Sequence, residues 1–226
     1  MSNTVHYLKS FQEQQEENSI TYASPQTRTP FVYKPKNPTC ELIVIDDFFC
    51  NPVQMRSFIV TQEFPITGNF VGSRTKSYAD NGIKDYLQRL LTGFNLQITD
   101  FCVGDDAHIN GAFVSINSRS NNWVHCDPNY DWYGLAFLVP EIPESSTISF
   151  YKFVDGTERH GEKSNETLRE LYSKDASKWT KTDSISVKFN RLVLFNPKRF
   201  HMLDNIVGTN VENGLIYQMF AFNAKV

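Results

Sequence analysis

From residue 111 onward the chain is cut into short apolar runs by Pro, Gly, Asn and Asp, and this punctuation constrains the fold more than any other feature. The runs cover residues 111–117, 123–125, 133–139, 147–153, 184–189, 192–195 and 215–222. Segments this short, bounded by turn residues and rich in Val, Ile, Phe and Tyr, read as strands. A series of them at close spacing predicts a mainly β protein, an antiparallel sandwich or barrel. A helical insertion at about residues 166–173 interrupts the series.

The N-terminal part has a different texture. Residues 1–38 form a polar leader, nearly all Gln or Glu from Gln12 to Asn18 and then broken by Pro25, Pro30, Pro35 and Pro38. Such a segment frays or wraps a surface. Residues 39–226 then make a single domain, a length sufficient for a sizeable core. The run 41–49 reads as a buried strand. Asn51 and Pro52 are the N-cap and first residue of a helix over 51–62, with Met55, Phe58 and Ile59 on its packed face. A second helix over 83–92 puts Tyr86, Leu87, Leu90 and Leu91 on one side and ends at Gly93.

Several function classes are excluded early. The net charge is -3 with no Lys/Arg block, so a broad nucleic-acid surface is not expected. No signal segment opens the chain and no apolar run approaches the ~18 residues of a membrane span, which predicts a soluble cytoplasmic protein. The four cysteines contain no Cys-x-x-Cys pair and read as reduced thiols. Neither a Gly-rich phosphate loop nor a nucleophile elbow is present. The Asp105–Asp106 pair reads as a solvated turn.

One constellation carries chemistry. His125 and Asp127, in Trp123-Val124-His125-Cys126-Asp127, are separated by one residue, and on an extended chain they project to the same side. Cys126 points the other way and reads as a small buried apolar residue. His201 follows the run 192–195 through a Pro-containing turn. Two imidazoles and one carboxylate on one face, with the remaining positions open, suit ferrous iron that must also bind substrates and oxygen. His6, His108 and His160 do not end an apolar strand in this way.

With these residues in place the chain resembles the 2-oxoglutarate- and Fe(II)-dependent dioxygenase superfamily, and most nearly its small prolyl-hydroxylase-like bacterial and phage members. The resemblance rests on Ile43-Val44-Ile45-Asp46-Asp47-Phe48-Phe49, on the aromatic-rich His-x-Asp segment, and on Arg191-Leu192-Val193-Leu194-Phe195-Asn196 ahead of His201. It implies a double-stranded β-helix of the jelly-roll or cupin kind, with flanking N-terminal helices. It also implies iron held by His125, Asp127 and His201, and a hydroxylase that consumes 2-oxoglutarate and O2, with ascorbate supporting the assay.

The chain departs from the family at one point. An arginine about ten residues after the second histidine usually pairs with the far carboxylate of 2-oxoglutarate, and here the last strand reads Gly214-Leu215-Ile216-Tyr217-Gln218-Met219-Phe220. A dianion entering an apolar barrel needs a cation or several donors. Lys152 is one substitute, Arg74, Arg191 and Arg199 are others, and Tyr133, Tyr217 and Gln218 are neutral donors. Trp132 and Tyr133 are either core aromatics or part of the substrate mouth. The expected substrate is an amino acid, a peptidyl side chain or another small metabolite. The loop 129–133 and the insertion 155–181 flank the mouth, and the mixed charge of that insertion reads as a solvated surface. Two rivals stay open: a metal-dependent cupin-type enzyme that does not use 2-oxoglutarate, and a non-catalytic binding module of the same fold.

Overall fold

The computed structural model describes residues 31–33, 40–104, 110–139, 141–162 and 166–225. Most of the polar leader, Asp105, Asp106, His6 and His108 lie outside the described residues. The first half contains β1 (Phe31–Tyr33), β2 (Leu42–Ile45), α1 (Pro52–Ile59), β3 (Ser73–Arg74), α2 (Asn81–Thr92), β4 (Gln97–Asp100) and β5 (Phe113–Ile116). The second contains β6 (Trp132–Phe137), β7 (Thr147–Phe153), α3 (Glu166–Leu171), β8 (Trp179–Ser186), β9 (Leu192–Phe195), β10 (His201–Asp204) and β11 (Leu215–Lys225).

Among the described residues the strands form two sheets, antiparallel at every pairing. The larger has eight strands in the order β1-β2-β9-β6-β11-β5-β3, with β4 also paired to β11. The smaller has three, in the order β10-β7-β8. From β5 to β11 the chain passes repeatedly between the sheets: β5 and β6 are in the large one, β7 and β8 in the small one. β9 is then large, β10 small and β11 large.

Period-two alternation assigns the faces. Tyr133, Leu135 and Phe137 of β6, Val193 and Phe195 of β9, and Tyr217 and Met219 of β11 pack toward Ile148, Phe150 and Leu203 of the small sheet. The intervening Trp132, Ala136, Leu192, Leu194, Phe220 and Phe222 pack on the opposite face. That face is covered by Met55 and Ile59 of α1 and by Ile83, Tyr86, Leu87 and Leu91 of α2. With both faces covered, β6, β9 and most of β11 are buried at every position, which is why these runs read as continuously apolar.

Both helices fall where they are expected, with different ends. Asn51 offers its backbone carbonyl to Met55 at 3.0 Å, but its side chain caps nothing. The second helix begins two residues early because Asp80 is its N-cap, accepting from the Ile83 N–H at 2.8 Å. At its other end Gly93 is right-handed, and Asn95 takes the positive φ of 57°. The strand expected at 123–125 shrinks to one bridge between His125 and His201. Two residues on, the Asp127 N–H goes to Pro197 O instead of residue 199, and the ladder stops there. No described helix is long and apolar enough to cross a membrane.

Candidate metal centre and its cavity

The segment carrying His125 and Asp127 is short, but its backbone is tied on several sides. Val124 N–H donates to Ser173 O at 3.0 Å, and Asp127 N–H donates to Pro197 O at 2.9 Å. Between them His125 and His201 exchange both backbone hydrogen bonds, at 3.1 and 2.8 Å. Directly paired residues share a face, so the two imidazoles stand side by side with ring centroids 4.5 Å apart. Val124 and Cys126 pack instead with Tyr151, Phe153, Trp179 and Phe200 behind the strand. Burial pushes the Cys126 thiol up to about 12, so it stays protonated and offers no thiolate.

The ring orientations follow from one local device used twice. His125 Nδ1 donates to Trp123 O at 3.0 Å, and His201 Nδ1 donates to Arg199 O at 2.8 Å. In each case the acceptor is the carbonyl two residues earlier. With Nδ1–H committed, the Nε2 lone pairs are the free donors, and both point to one spot. Asp127 Oδ2 lies 3.6 Å from His125 Nε2 and 3.7 Å from His201 Nε2. All three ligand atoms lie within 4.8 Å of one another, an arrangement that can hold a metal ion.

Electrostatics separates this geometry from a salt bridge. Burial, with the adjacent His125, holds the His201 imidazole well below its ordinary range, so it is neutral at physiological pH. Burial pushes the Asp127 carboxyl upward, against the charges of His125 and Arg74 and a hydrogen bond from Tyr133. The desolvated Asp127 carboxyl faces the neutral His201 imidazole and gains from a further cation. A divalent metal between the three would supply it.

The triad lies in the wall of a cavity of about 580 Å³. Leu135, Ile148, Phe195, Leu203 and Met219 make its apolar lining, and Arg74, Tyr133 and Tyr217 its polar groups. Arg74 arrives by register: it pairs with Val114 of β5, which pairs with Tyr217 of β11, so all three share the inner face of the large sheet. The Arg74 guanidinium stacks on the Phe70 ring, 3.6 Å from its centroid. Its Nε–H is buried and has no hydrogen-bond partner, a state costing about 1–3 kcal/mol until something fills it. Burial lowers the Arg74 pKa, but a guanidinium stays charged. Burial also raises both tyrosines, Tyr217 up to about 12, so both hydroxyls are protonated donors at neutral pH.

The remaining anchor residues named from sequence lie elsewhere. Gln218 is adjacent to Tyr217 and therefore faces the other side of the sheet, where its amide donates to Gly111 O at 3.1 Å. Arg199 pairs with Asp183 at 2.7 Å and lies over the Phe150 ring. Arg191 forks onto Asp46 at 2.6 and 3.1 Å. Lys152 is not among the residues lining the cavity. Trp132 belongs to the helix-facing core, whereas Tyr133 lines the cavity.

The insertion does border the cavity, through Glu166, Arg169, Glu170, Ser173 and Lys174. It is not uniformly a solvated surface, because Arg169 is only 2% exposed and pairs with Asp155 at 3.1 Å and Glu166 at 2.9 Å. Phe70 and Val71 also line the cavity and carry no sequence signal beyond the flanking Gly68 and Gly72. Neither a family model nor a curated protein matches the chain.

Proposed function

We propose that the protein is a non-haem Fe(II) dioxygenase that uses 2-oxoglutarate to hydroxylate a small molecule or peptide. The observation that carries this reading is the pairing of two features in one cavity: a two-histidine, one-carboxylate set, and a half-buried arginine, Arg74, whose buried Nε–H has no partner. The donor set matches ferrous iron that keeps positions free for other ligands. The guanidinium with two tyrosine hydroxyls matches a carboxylate that must leave water. The same reading takes the two sheets as halves of a double-stranded β-helix. The alternation of β5 to β11 between sheets, with the His125 bridge beside β10, supports it.

In this reading His125 Nε2, His201 Nε2 and one oxygen of Asp127 hold the iron. When bound, the iron supplies the oxygen-dependent redox chemistry that couples loss of carbon dioxide from 2-oxoglutarate to oxidation of a substrate C–H bond. The protein's residues do the positioning. Trp123 O and Arg199 O fix the imidazole tautomers, and Tyr133 restrains the Asp127 carboxylate. Arg74 receives the far carboxylate of the cosubstrate, with Tyr217 beside it. The apolar lining excludes water around them, which strengthens each charged contact. The cavity border mixes Glu170 with Lys174, which suits a neutral or zwitterionic substrate better than a polyanion.

Anaerobic Fe(II) titration followed by an assay for succinate, with iron, ascorbate and 2-oxoglutarate but no added substrate, tests this function. The expected result is one iron per chain and slow succinate formation. Iron binding with no 2-oxoglutarate binding or turnover would instead leave a cupin-type metal enzyme, and absence of metal binding would leave a ligand-binding module.

A further inference from the structure

We infer that Phe70 is a positioning residue for the anion anchor: its ring holds the Arg74 guanidinium in place at that end of the cavity, so that the cosubstrate carboxylate is received on the guanidinium's N–H rim. This rests on the functional reading above.

Phe70 sits at the tip of a tight hairpin whose arms are joined by Ile66 and Arg74, which exchange backbone hydrogen bonds at 3.1 and 2.9 Å. The hairpin is built to press inward. Gly72 has φ +79°, and a Cβ there would lie 2.3 Å from Ser115 O, so only glycine lets this arm lie against β5. At Gly68 a Cβ would meet the Phe70 ring at 2.9 Å, so the opposite arm also leaves room for that ring. The hairpin thus places an aromatic face 3.6 Å from the Arg74 guanidinium carbon. Arg74 ends the same hairpin, so the ring and the cation it stacks on are four residues apart on one loop.

A guanidinium has two faces and a planar rim of N–H donors. Stacking uses a face and leaves the rim free, which is the geometry that combines a cation–π contact with carboxylate binding. Here Phe70 takes one face, and the buried Nε–H on the rim has no partner. Tyr217, Tyr133 and Asp127 line the same cavity as Arg74. A ligand carboxylate in the cavity that Arg74 lines would meet the N–H rim edge-on. Without the ring, the long side chain regains its rotamers and water reaches the guanidinium, and both changes weaken anion binding.

The test compares Phe70→Ala, Phe70→Leu and Phe70→Tyr with the parent protein in two measurements. The first needs no metal or cosubstrate: phenylglyoxal modification of Arg74, followed by peptide mass spectrometry. Arg74 is expected to react several-fold faster in Phe70→Ala and Phe70→Leu, and at the parent rate in Phe70→Tyr. The second is calorimetric binding of 2-oxoglutarate to the anaerobic Fe(II)-loaded protein. Its dissociation constant should rise about tenfold in Phe70→Ala and Phe70→Leu, as loss of a desolvated cation–π contact implies, and return to the parent value in Phe70→Tyr. Iron affinity should be unchanged throughout.

Parent-like behaviour of Phe70→Ala in both measurements overturns the role of Phe70, and parent-like behaviour of Phe70→Leu shows that bulk suffices and overturns the stacking. A parent protein that loads iron but does not bind 2-oxoglutarate overturns the functional reading and the anchor with it. The modification rates then still report whether Phe70 holds Arg74.

Discussion

At the metal end of the cavity the histidine N–H donors are already committed, whereas at the Arg74 end a donor stands ready and unfilled. His125 and His201 each spend Nδ1–H on a carbonyl two residues back, and their strands are locked by reciprocal backbone bonds. What remains is a set of lone pairs that, with Asp127, could hold a metal ion. Arg74 is the opposite case, a cation with a buried Nε–H and no acceptor. The first end is organised by contacts local in sequence plus one strand bridge. The second is assembled across β3, β5, β6 and β11, with the Phe70 ring stacked on its cation. Such a division lets metal loading and anion binding be lost separately.

The largest expected effect breaks the metal end. His201→Ala should weaken Fe(II) binding by more than about 100-fold, beyond the range that loss of an outer hydrogen-bonding partner costs, and His125→Ala should do the same. Anaerobic iron titration measures both. Next in size is the anion end. Arg74→Met keeps the bulk and removes the charge, and should weaken 2-oxoglutarate binding by about 100-fold with iron affinity intact, as for a buried charge pair truncated on one side. Lys152→Met, outside the cavity lining, should stay within about twofold. If Lys152→Met produced the larger loss, the assignment of the anchor to Arg74 would fail.

The asymmetry between the ends also explains what was legible in the sequence. His-x-Asp reads directly because alternation fixes both side chains from two positions, and His201 reads because it follows a run as clear as 192–195. β2, β5, β6, β9 and most of β11 were readable for a related reason: buried along their length, they are continuous apolar runs, as β3 and β4 are not. Arg74 was one of several arginines in the sequence. Only the register Arg74–Val114–Tyr217 places it in the cavity, and a two-residue strand such as β3 has no periodicity to detect. Gln218 looked equivalent to Tyr217 until the face of β11 was set by its neighbours. The Asp80 cap stands in the chain as a local signal two residues ahead of the helix start expected at 83.

Arg169 tests whether the insertion behind the metal end is structural. Its side chain is 2% exposed, while its partners Asp155 and Glu166 are about one third exposed, so solvent screens part of each pair. Removing it leaves two carboxylates facing each other near Phe200, whose ring lies 5.9 Å from the guanidinium carbon. Arg169→Met should therefore destabilise the protein by roughly 1–3 kcal/mol, below the cost of breaking a fully buried pair. Thermal unfolding of the metal-free protein measures this. Iron affinity should fall by less than in either histidine variant, and an equal fall would mean that the insertion shapes the triad itself.

The smallest expected effect concerns Arg191, an anchor candidate from sequence that the fold commits elsewhere. Its guanidinium forks onto Asp46, which Lys188 also meets at 3.0 Å. The hydrogen bond from Arg191 holds the Asp46 carboxyl below its ordinary 3.8, against an upward push from burial that ranks above the further lowering by Lys188. A carboxyl depressed in the folded state binds fewer protons there than in the unfolded chain. Its contribution is therefore fully present above the unfolded value and is lost as pH falls through 3.8 toward the folded value. Asp46 is more than a third exposed, so screening reduces the contribution to a few tenths of a kcal/mol. Asp46→Asn should accordingly lower stability slightly at pH 7 and not at pH 2, flattening the acid limb of the unfolding curve. Binding of 2-oxoglutarate should be unchanged, because the pair it breaks lies outside the residues that line the cavity. A marked loss of cosubstrate affinity in this variant would couple Arg191 to the anion end and undo the separation between the two ends of the cavity.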